Sequence, residues 1–241
     1  MVVEPRLVLF DIDGTLVTSR GAGRRAMGQA LVETFGATGP LGEYDFRGKT
    51  DLRIVRDLMG AAGIAPAQIQ ARLADCFAAY VRALEEAMAT AVIDVMPGIP
   101  ALLRELAGRE DVVLGLLTGN IEAGARVKLG PTGLLPYFRL GAYGSDDADR
   151  SCLPPIAAAR AERLVGRPFS PDRIVVIGDT PLDVACARAC GAVAVAVATG
   201  FHPMEDLVAC APDLLFADLA DTADVLARLL PAGAPAAPRG D

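Results

Sequence analysis

The chain has 241 residues, of which 52% are hydrophobic and 22% charged, and a formal net charge of −7. That composition belongs to a globular chain long enough to bury a full core, which excludes an intrinsically disordered one. The acidic balance and the lack of a basic block exclude nonspecific nucleic-acid binding, and the longest fully apolar run, in AVAVAVA (192–198), is too short to cross a bilayer as a helix.

The start, MVVEPRLVLF, has an early acid and a short apolar run, so it does not read as a secretory signal and the expected compartment is the cytosol. The five cysteines (Cys76, Cys152, Cys186, Cys190 and Cys210) are scattered in a chain with one His and no CxxC. They read as small buried thiols of a reducing compartment, including Cys186 and Cys190, which lie four apart on a predicted helix.

Residues 6–10 form a short apolar run that predicts a buried strand, and the run ends in Asp11, Ile12, Asp13 and Gly14. Residues 19–36 read as a helix stopped at Gly36, and YDFRGKT (44–50) as a loop. A helix starts at Asp51. Pro66 opens a longer one, in which Ile69, Leu73, Phe77, Tyr80, Val81, Leu84 and Met88 follow the helical spacing. Residues 18–92 are therefore expected to be all helical.

From Met96 the pattern alternates. Helices are predicted at 97–110, 121–130, 153–166 and 183–191, and strands at 111–117, 137–143, 172–178, 192–198 and 213–219. Such alternation implies right-handed crossovers and a mostly parallel sheet. The expected architecture is an α/β, Rossmann-like core made of residues 1–17 and 93–230. Residues 18–92 form an inserted helical cap over one end of the sheet, and 231–241 a disordered tail.

In an open α/β sheet, ligands bind beyond the carboxyl ends of the strands. There the chain carries Asp11 and Asp13 after the first strand, Thr118, Gly119 and Asn120 after the second, and Asp179, Thr180 and Asp183 after VVIG. Converging carboxylates repel one another unless a divalent cation lies among them, and an all-oxygen donor set suits Mg²⁺. Asp-x-Asp in an extended chain points both carboxylates to one side. Plainer readings remain for three residues: Asp179 as a helix N-cap, Asp183 as an acid favoured in a first turn, and Thr118 as a strand-end hydroxyl that satisfies backbone.

These residues resemble the haloacid dehalogenase-like hydrolase superfamily. DIDGT (11–15) is similar to its first motif, LLTGN (116–120) to its second and VVIGDTPLD (175–183) to its fourth. The helical insertion resembles a C1-type cap, and the whole looks most like the phosphoglycolate-phosphatase-like branch. The third motif departs from the family's pattern. Its usual Lys is missing, and the only lysines are Lys49 and Lys128. DADRSCLPPIAAARA (147–161) offers Arg150, which can neutralise carboxylate and phosphate in its place. Lys128, about two turns into its helix and on the order of 10 Å from the rim, ranks below it.

The resemblance implies a Mg²⁺-dependent phosphatase of a small phosphorylated metabolite. Asp11 is then the nucleophile and Asp13 the acid and base. Thr118, with the N–H groups around Gly119 and Asn120, holds the phosphoryl oxygens. Asp11, Asp179 and the backbone carbonyl of Asp13 are the metal ligands, and Asp183 is a ligand through water or orients Arg150. DFRGKTD (45–51) resembles the loop such caps turn toward the site, so Arg47 and Lys49 are expected on an anionic substrate, with Arg24 and Arg53 weaker candidates. His202 reads as a loop residue without a catalytic role. No nucleic-acid or membrane partner is expected, and the protein is expected as a monomer or homodimer. Phosphomutase, phosphonatase and dehalogenase chemistry on the same fold, and a binding protein with a relic site, are the competing readings.

Overall fold

The structure is a computed structural model that describes residues 4–230. The tail at 231–241, expected to be disordered, lies outside the described residues. The chain begins with β1 (Arg6–Phe10) and β2 (Val17–Thr18) and then enters the helices α1 (Ala22–Phe35), α2 (Asp51–Ala61) and α3 (Pro66–Thr90). It returns through β3 (Asp94–Val95) and continues as α4 (Ile99–Ala107), β4 (Val112–Thr118), α5 (Glu122–Leu129), β5 (Leu140–Tyr143), α6 (Leu153–Val165), β6 (Ile174–Gly178), α7 (Pro181–Ala189), β7 (Val193–Val197), α8 (Met204–Ala209), β8 (Leu214–Phe216) and α9 (Thr222–Leu229).

Six strands form one parallel sheet in the order β5-β4-β1-β6-β7-β8. β1 lies at its centre, with Leu9 level with Gly115 of β4 and Val176 of β6. This is the α/β, Rossmann-like sheet expected from the alternation. Helices cover both faces, so the strands are apolar on both sides; all seven residues of β4 are buried. The two-residue period of a strand divides β1 between two cores: Val8 and Phe10 pack on one face, Leu7 and Leu9 on the other.

The helices between β2 and β3 have a core of their own, which includes Ala26, Ala30, Leu58, Met59, Tyr80 and Leu84. On α3 the buried positions Ile69, Leu73, Tyr80, Leu84 and Met88 follow the predicted helical stripe. α1 stops where predicted: Gly36 takes φ 71° and its N–H donates to the Val32 carbonyl, which closes the helix with a residue that has no Cβ to strain.

Four elements differ from the sequence reading. β2 and β3 form a two-residue antiparallel ladder, Val17 with Val95 and Thr18 with Asp94, at the point where the chain leaves and rejoins the sheet. Two residues carry no readable period; the ladder exists because the two crossings run side by side. The helices α8 and α9 were not predicted. α8 spans only six residues. α9 starts at the N-cap Asp221, whose side chain accepts the Asp224 N–H, and it buries Val225 and Leu229 against the sheet. Among the described residues no helix is long and apolar enough to cross a membrane.

Candidate active site

The carboxyl ends of β1, β4 and β6 lie side by side, and the polar residues that follow them converge. Asp11 leaves β1 with its N–H donated to the Ile177 carbonyl of β6 at 2.9 Å. Ile12 turns the opposite way and is fully buried in the core. Gly14, at φ +89°, lets the chain turn under Asp179: a Cβ here would collide with that carboxylate. The Thr15 hydroxyl donates to Asp179 Oδ1 at 3.2 Å.

Thr118 is the last residue of β4 and is fully buried. Its Oγ1 accepts from Asn120 Nδ2 at 2.8 Å and from the Asn120 N–H at 3.3 Å. The hydroxyl proton has no acceptor among the described residues, so it is available to donate to a ligand.

Asp183 caps its own helix and also holds Arg150. Its Oδ2 closes the capping box at the start of α7, accepting from the Thr180 N–H at 3.1 Å and the Thr180 hydroxyl at 2.7 Å. Its Oδ1 takes Arg150 Nη2 at 2.5 Å. Arg150 lies in a single 3-10 turn that runs into α6 and is buried. The same Nη2 stands 3.1 Å from Asp11 Oδ1, and Nη1 donates to the Gly48 carbonyl at 3.1 Å. The guanidinium thus bridges Asp11 and Asp183, and it also touches the loop before α2. Its Nε is buried without a partner among the described residues.

Lys128 corrects the expected distance: it reaches the rim, although it meets Asp13 and not the Asp11–Asp183 pair held by Arg150. Its Nζ lies 2.6 Å from Asp13 Oδ2, and its side chain is only 6% exposed. The 10 Å estimate followed the rise along the helix axis. Helical side chains lean back toward the N-terminus, and a lysine has four methylenes with which to recover that distance. The available signal was that this is one of two lysines in a chain with 23 basic residues.

Asp51 was missed as well. It is buried in the first turn of α2, its N–H donates to the Gly119 carbonyl at 2.7 Å, and its Oδ2 accepts the Ile121 N–H at 2.8 Å. Thr50 adds a hydroxyl bond to the Ala148 carbonyl at 2.7 Å. Gly119 has no room for a Cβ because the Lys49 carbonyl sits where one would go.

A cavity of about 650 Å³ joins these groups to the loop before α2; Asp11, Asp13, Thr118, Asn120, Lys128 and Arg150 line it, as do Arg47 and Lys49. The last two differ in what they can offer a ligand. Arg47 is exposed and paired with Asp45 at 2.8 Å. Lys49 has its Nζ 3.9 Å from the Tyr44 ring centre and no ion pair among the described residues. Of the weaker candidates, Arg24 is committed to the carbonyls of Leu41, Gly42 and Tyr44, and Arg53 to Asp57. His202 stands in the loop before α8, 3.6 Å from Asp206.

The electrostatics favour a cation. Oxygens of Asp11, Asp179 and Asp183 all lie within 4.8 Å of one another, and all three residues are buried. Three carboxylates against the one guanidinium of Arg150 leave a formal charge of −2, which one divalent ion would balance. Burial pushes the Asp11 carboxyl up to about 6, against the pull of Arg150, with Asp183 and Asp13 adding to the rise. Asp179 is raised well above the usual carboxylate range by burial and by Asp183 and Asp11. Hard oxygen donors with only one compensating charge among three acids fit Mg²⁺ or a similar ion. The Asp13 carboxylate is outside this group, being held by Lys128 and Asn120.

Comparison with known proteins shows the family to which this fold belongs. The family model of haloacid dehalogenase-like hydrolases matches residues 5–191, and the chain belongs to that family. A phosphoglycolate phosphatase of Synechococcus elongatus is 30% identical over 92% of this chain and 98% of its own. One of Rhodospirillum rubrum is 32% identical over 95% of this chain and 94% of its own. A crystal structure of a hydrolase from Pseudomonas syringae superposes with a TM-score of 0.68 at 22% identity, covering 92% of this chain and 97% of that one. The relatives set the chain among the phosphohydrolases of the family.

Proposed function

We propose that the protein is a Mg²⁺-dependent phosphatase that hydrolyses a small phosphorylated metabolite, phosphoglycolate or a close analogue, through an aspartyl-phosphate intermediate on Asp11. The observation that carries this reading is the buried set of Asp11, Asp179 and Asp183, short of two positive charges, beside a second acid held by Lys128 and Asn120.

Asp11, Asp179 and the backbone carbonyl of Asp13 would hold the ion, with Asp183 behind them. When bound, the ion screens the repulsion between the Asp11 carboxylate and the phosphoryl group. Thr118 donates its free hydroxyl proton to a phosphoryl oxygen, and the N–H groups of Gly119 and Asn120 supply further donors. Asp11 attacks phosphorus, and Asp13 protonates the leaving oxygen. Asp13 then takes a proton from the water that hydrolyses the intermediate. Arg150 fixes Asp11 and Asp183 and replaces the family's lysine.

Residues 18–92 act as the cap domain on a core of 1–17 and 93–230. Lys49, with Arg47 at the rim, meets the anionic end of the substrate. The substrate name is supported by the curated relatives, which are phosphoglycolate phosphatases. The same reading puts the enzyme in the cytoplasm, as a monomer or homodimer.

The test is phosphate release from phosphoglycolate and from a panel of phosphorylated metabolites, with Mg²⁺ and with chelator, for the native chain and Asp11→Asn. Release that needs both the ion and Asp11 is expected. Release that survives Asp11→Asn would remove the proposal.

A further inference from the structure

Lys128 is the one buried cation at the site to which the reaction above assigns no task. It lies near the end of α5, outside every motif, and its ammonium reaches through the protein to Asp13. The two partners are unequally placed. The lysine side chain is 6% exposed, whereas that of Asp13 is 43% exposed, on a residue that lines the cavity. The Coulombic attraction available to a buried lysine is strongest toward an equally buried acid. One lies nearby: Lys128 acts on the charge of the buried Asp51, yet that carboxylate accepts the Ile121 N–H and Lys128 bonds to Asp13 instead.

The donors also converge on a single oxygen. Lys128 Nζ at 2.6 Å and Asn120 Nδ2 at 2.8 Å both bind Oδ2 of Asp13. No donor among the described residues reaches Oδ1. An oxygen that accepts two N–H donors, one of them cationic, is a poor place for a proton.

We propose that Lys128 is a positioning residue for Asp13: by holding Oδ2 from inside the protein, it leaves Oδ1 as the oxygen that carries the proton to and from the reacting phosphate ester. The inference rests on the phosphatase reading above. As the Asp11 oxygen bonds to phosphorus, the ester P–O bond breaks and its electron pair stays on the leaving oxygen. That oxygen takes the proton from Oδ1, and Asp13 becomes a carboxylate. Water then bonds to phosphorus and gives its proton to Oδ1. The bond between phosphorus and Asp11 breaks, and its electron pair returns to the Asp11 carboxylate.

The experiment compares leaving groups in a single turnover, which isolates the first step. An alkyl phosphate needs its leaving oxygen protonated; p-nitrophenyl phosphate hardly does. Lys128→Met, neutral and of similar length, is expected to slow leaving-group release from the alkyl ester on the order of 10–100-fold, and from the aryl ester by about threefold or less. Equal losses on both esters, or no loss on either, would overturn the proposal. A native enzyme that turns over neither ester, with or without Mg²⁺, would refute the phosphatase reading itself and this inference with it.

Should Lys128→Met fail to fold because it leaves Asp13 unpaired, Asp13→Asn and the double variant Asp13→Asn/Lys128→Met answer the same question. With the acid gone, loss of Lys128 is expected to change alkyl-ester release less than about twofold, since coupled residues do not add. A further loss as large as that caused by Asp13→Asn alone would show that Lys128 acts through something else.

Discussion

The carboxylate of Asp51, at the start of α2, accepts the backbone N–H of Ile121, the residue that precedes α5, at 2.8 Å. Ile121 has no side chain able to cap α5, so the cap is supplied from a segment seventy residues away in sequence. Asp51 also donates its own N–H to the Gly119 carbonyl, which ties the helical block to the loop after β4. Removing the acceptor in Asp51→Ala is expected to cost about 1–2 kcal/mol, the usual range for a lost N-cap, while Asp51→Asn keeps most of it. Denaturant unfolding of the three proteins measures this, and equal stabilities would contradict it.

Arg150 is the one cation paired with two of the three buried acids, Asp11 and Asp183. Arg150→Met is expected to destabilise the metal-free protein by roughly 3–5 kcal/mol, because uncompensated buried charge is the costly outcome. Mg²⁺ should restore part of that loss. Arg150→Lys keeps the charge but cannot keep both the carboxylates and the Gly48 carbonyl, so a smaller loss of about 1–2 kcal/mol is expected. Melting temperatures of the three proteins with chelator and with Mg²⁺ give the order.

Acidity should govern the response to metal. Asp11 and Asp51 are both raised, mainly by burial, from 3.8 to about 6. Between those values the native state binds more protons than the unfolded chain, so the stability of the metal-free protein falls as pH rises through that window. A divalent ion favours the ionised form of Asp11 and opposes the fall. The Mg²⁺-induced rise in melting temperature is therefore expected to be larger at pH 7.5 than at pH 5. The same rise at both would mean that the ion does not bind these carboxylates.

Lys49 and Arg47 were equal candidates on the sequence, and the structure separates them. Arg47 is already neutralised by Asp45, whereas Lys49 rests on the Tyr44 ring with no acid of its own. Lys49→Ala is expected to raise KM for an anionic phosphate ester roughly fivefold, about 1 kcal/mol, and Arg47→Ala by less than about twofold. Steady-state kinetics on the preferred substrate decide, and the reverse order would place Arg47 on the substrate.

Much of the fold was legible because apolar periodicity is a local property. β4 and β6 read as continuous apolar runs because both their faces are covered, and α3 showed its stripe because one face packs on α1. β2 and β3 were not legible, since two residues have no period and pair only because the crossings meet. α8 was passed over because six residues carry too little of a helical period, and α9, as long as the predicted α5, because its buried stripe is only Val225 and Leu229.

By itself the sequence determined the parallel sheet, the helical insertion and the acids at the strand ends, since strand period, helix period and the rule that ligands gather at carboxyl ends all act over a few residues. What only the tertiary structure decided are the contacts made by long or distant side chains. Lys128 on Asp13, Asp51 on Ile121 and Arg150 on Gly48 join residues separated by 70 to 115 positions. Their pairing depends on how far each side chain reaches once the helices are packed and on which carbonyl or carboxylate is left without a partner there. No pattern of neighbouring residues encodes that.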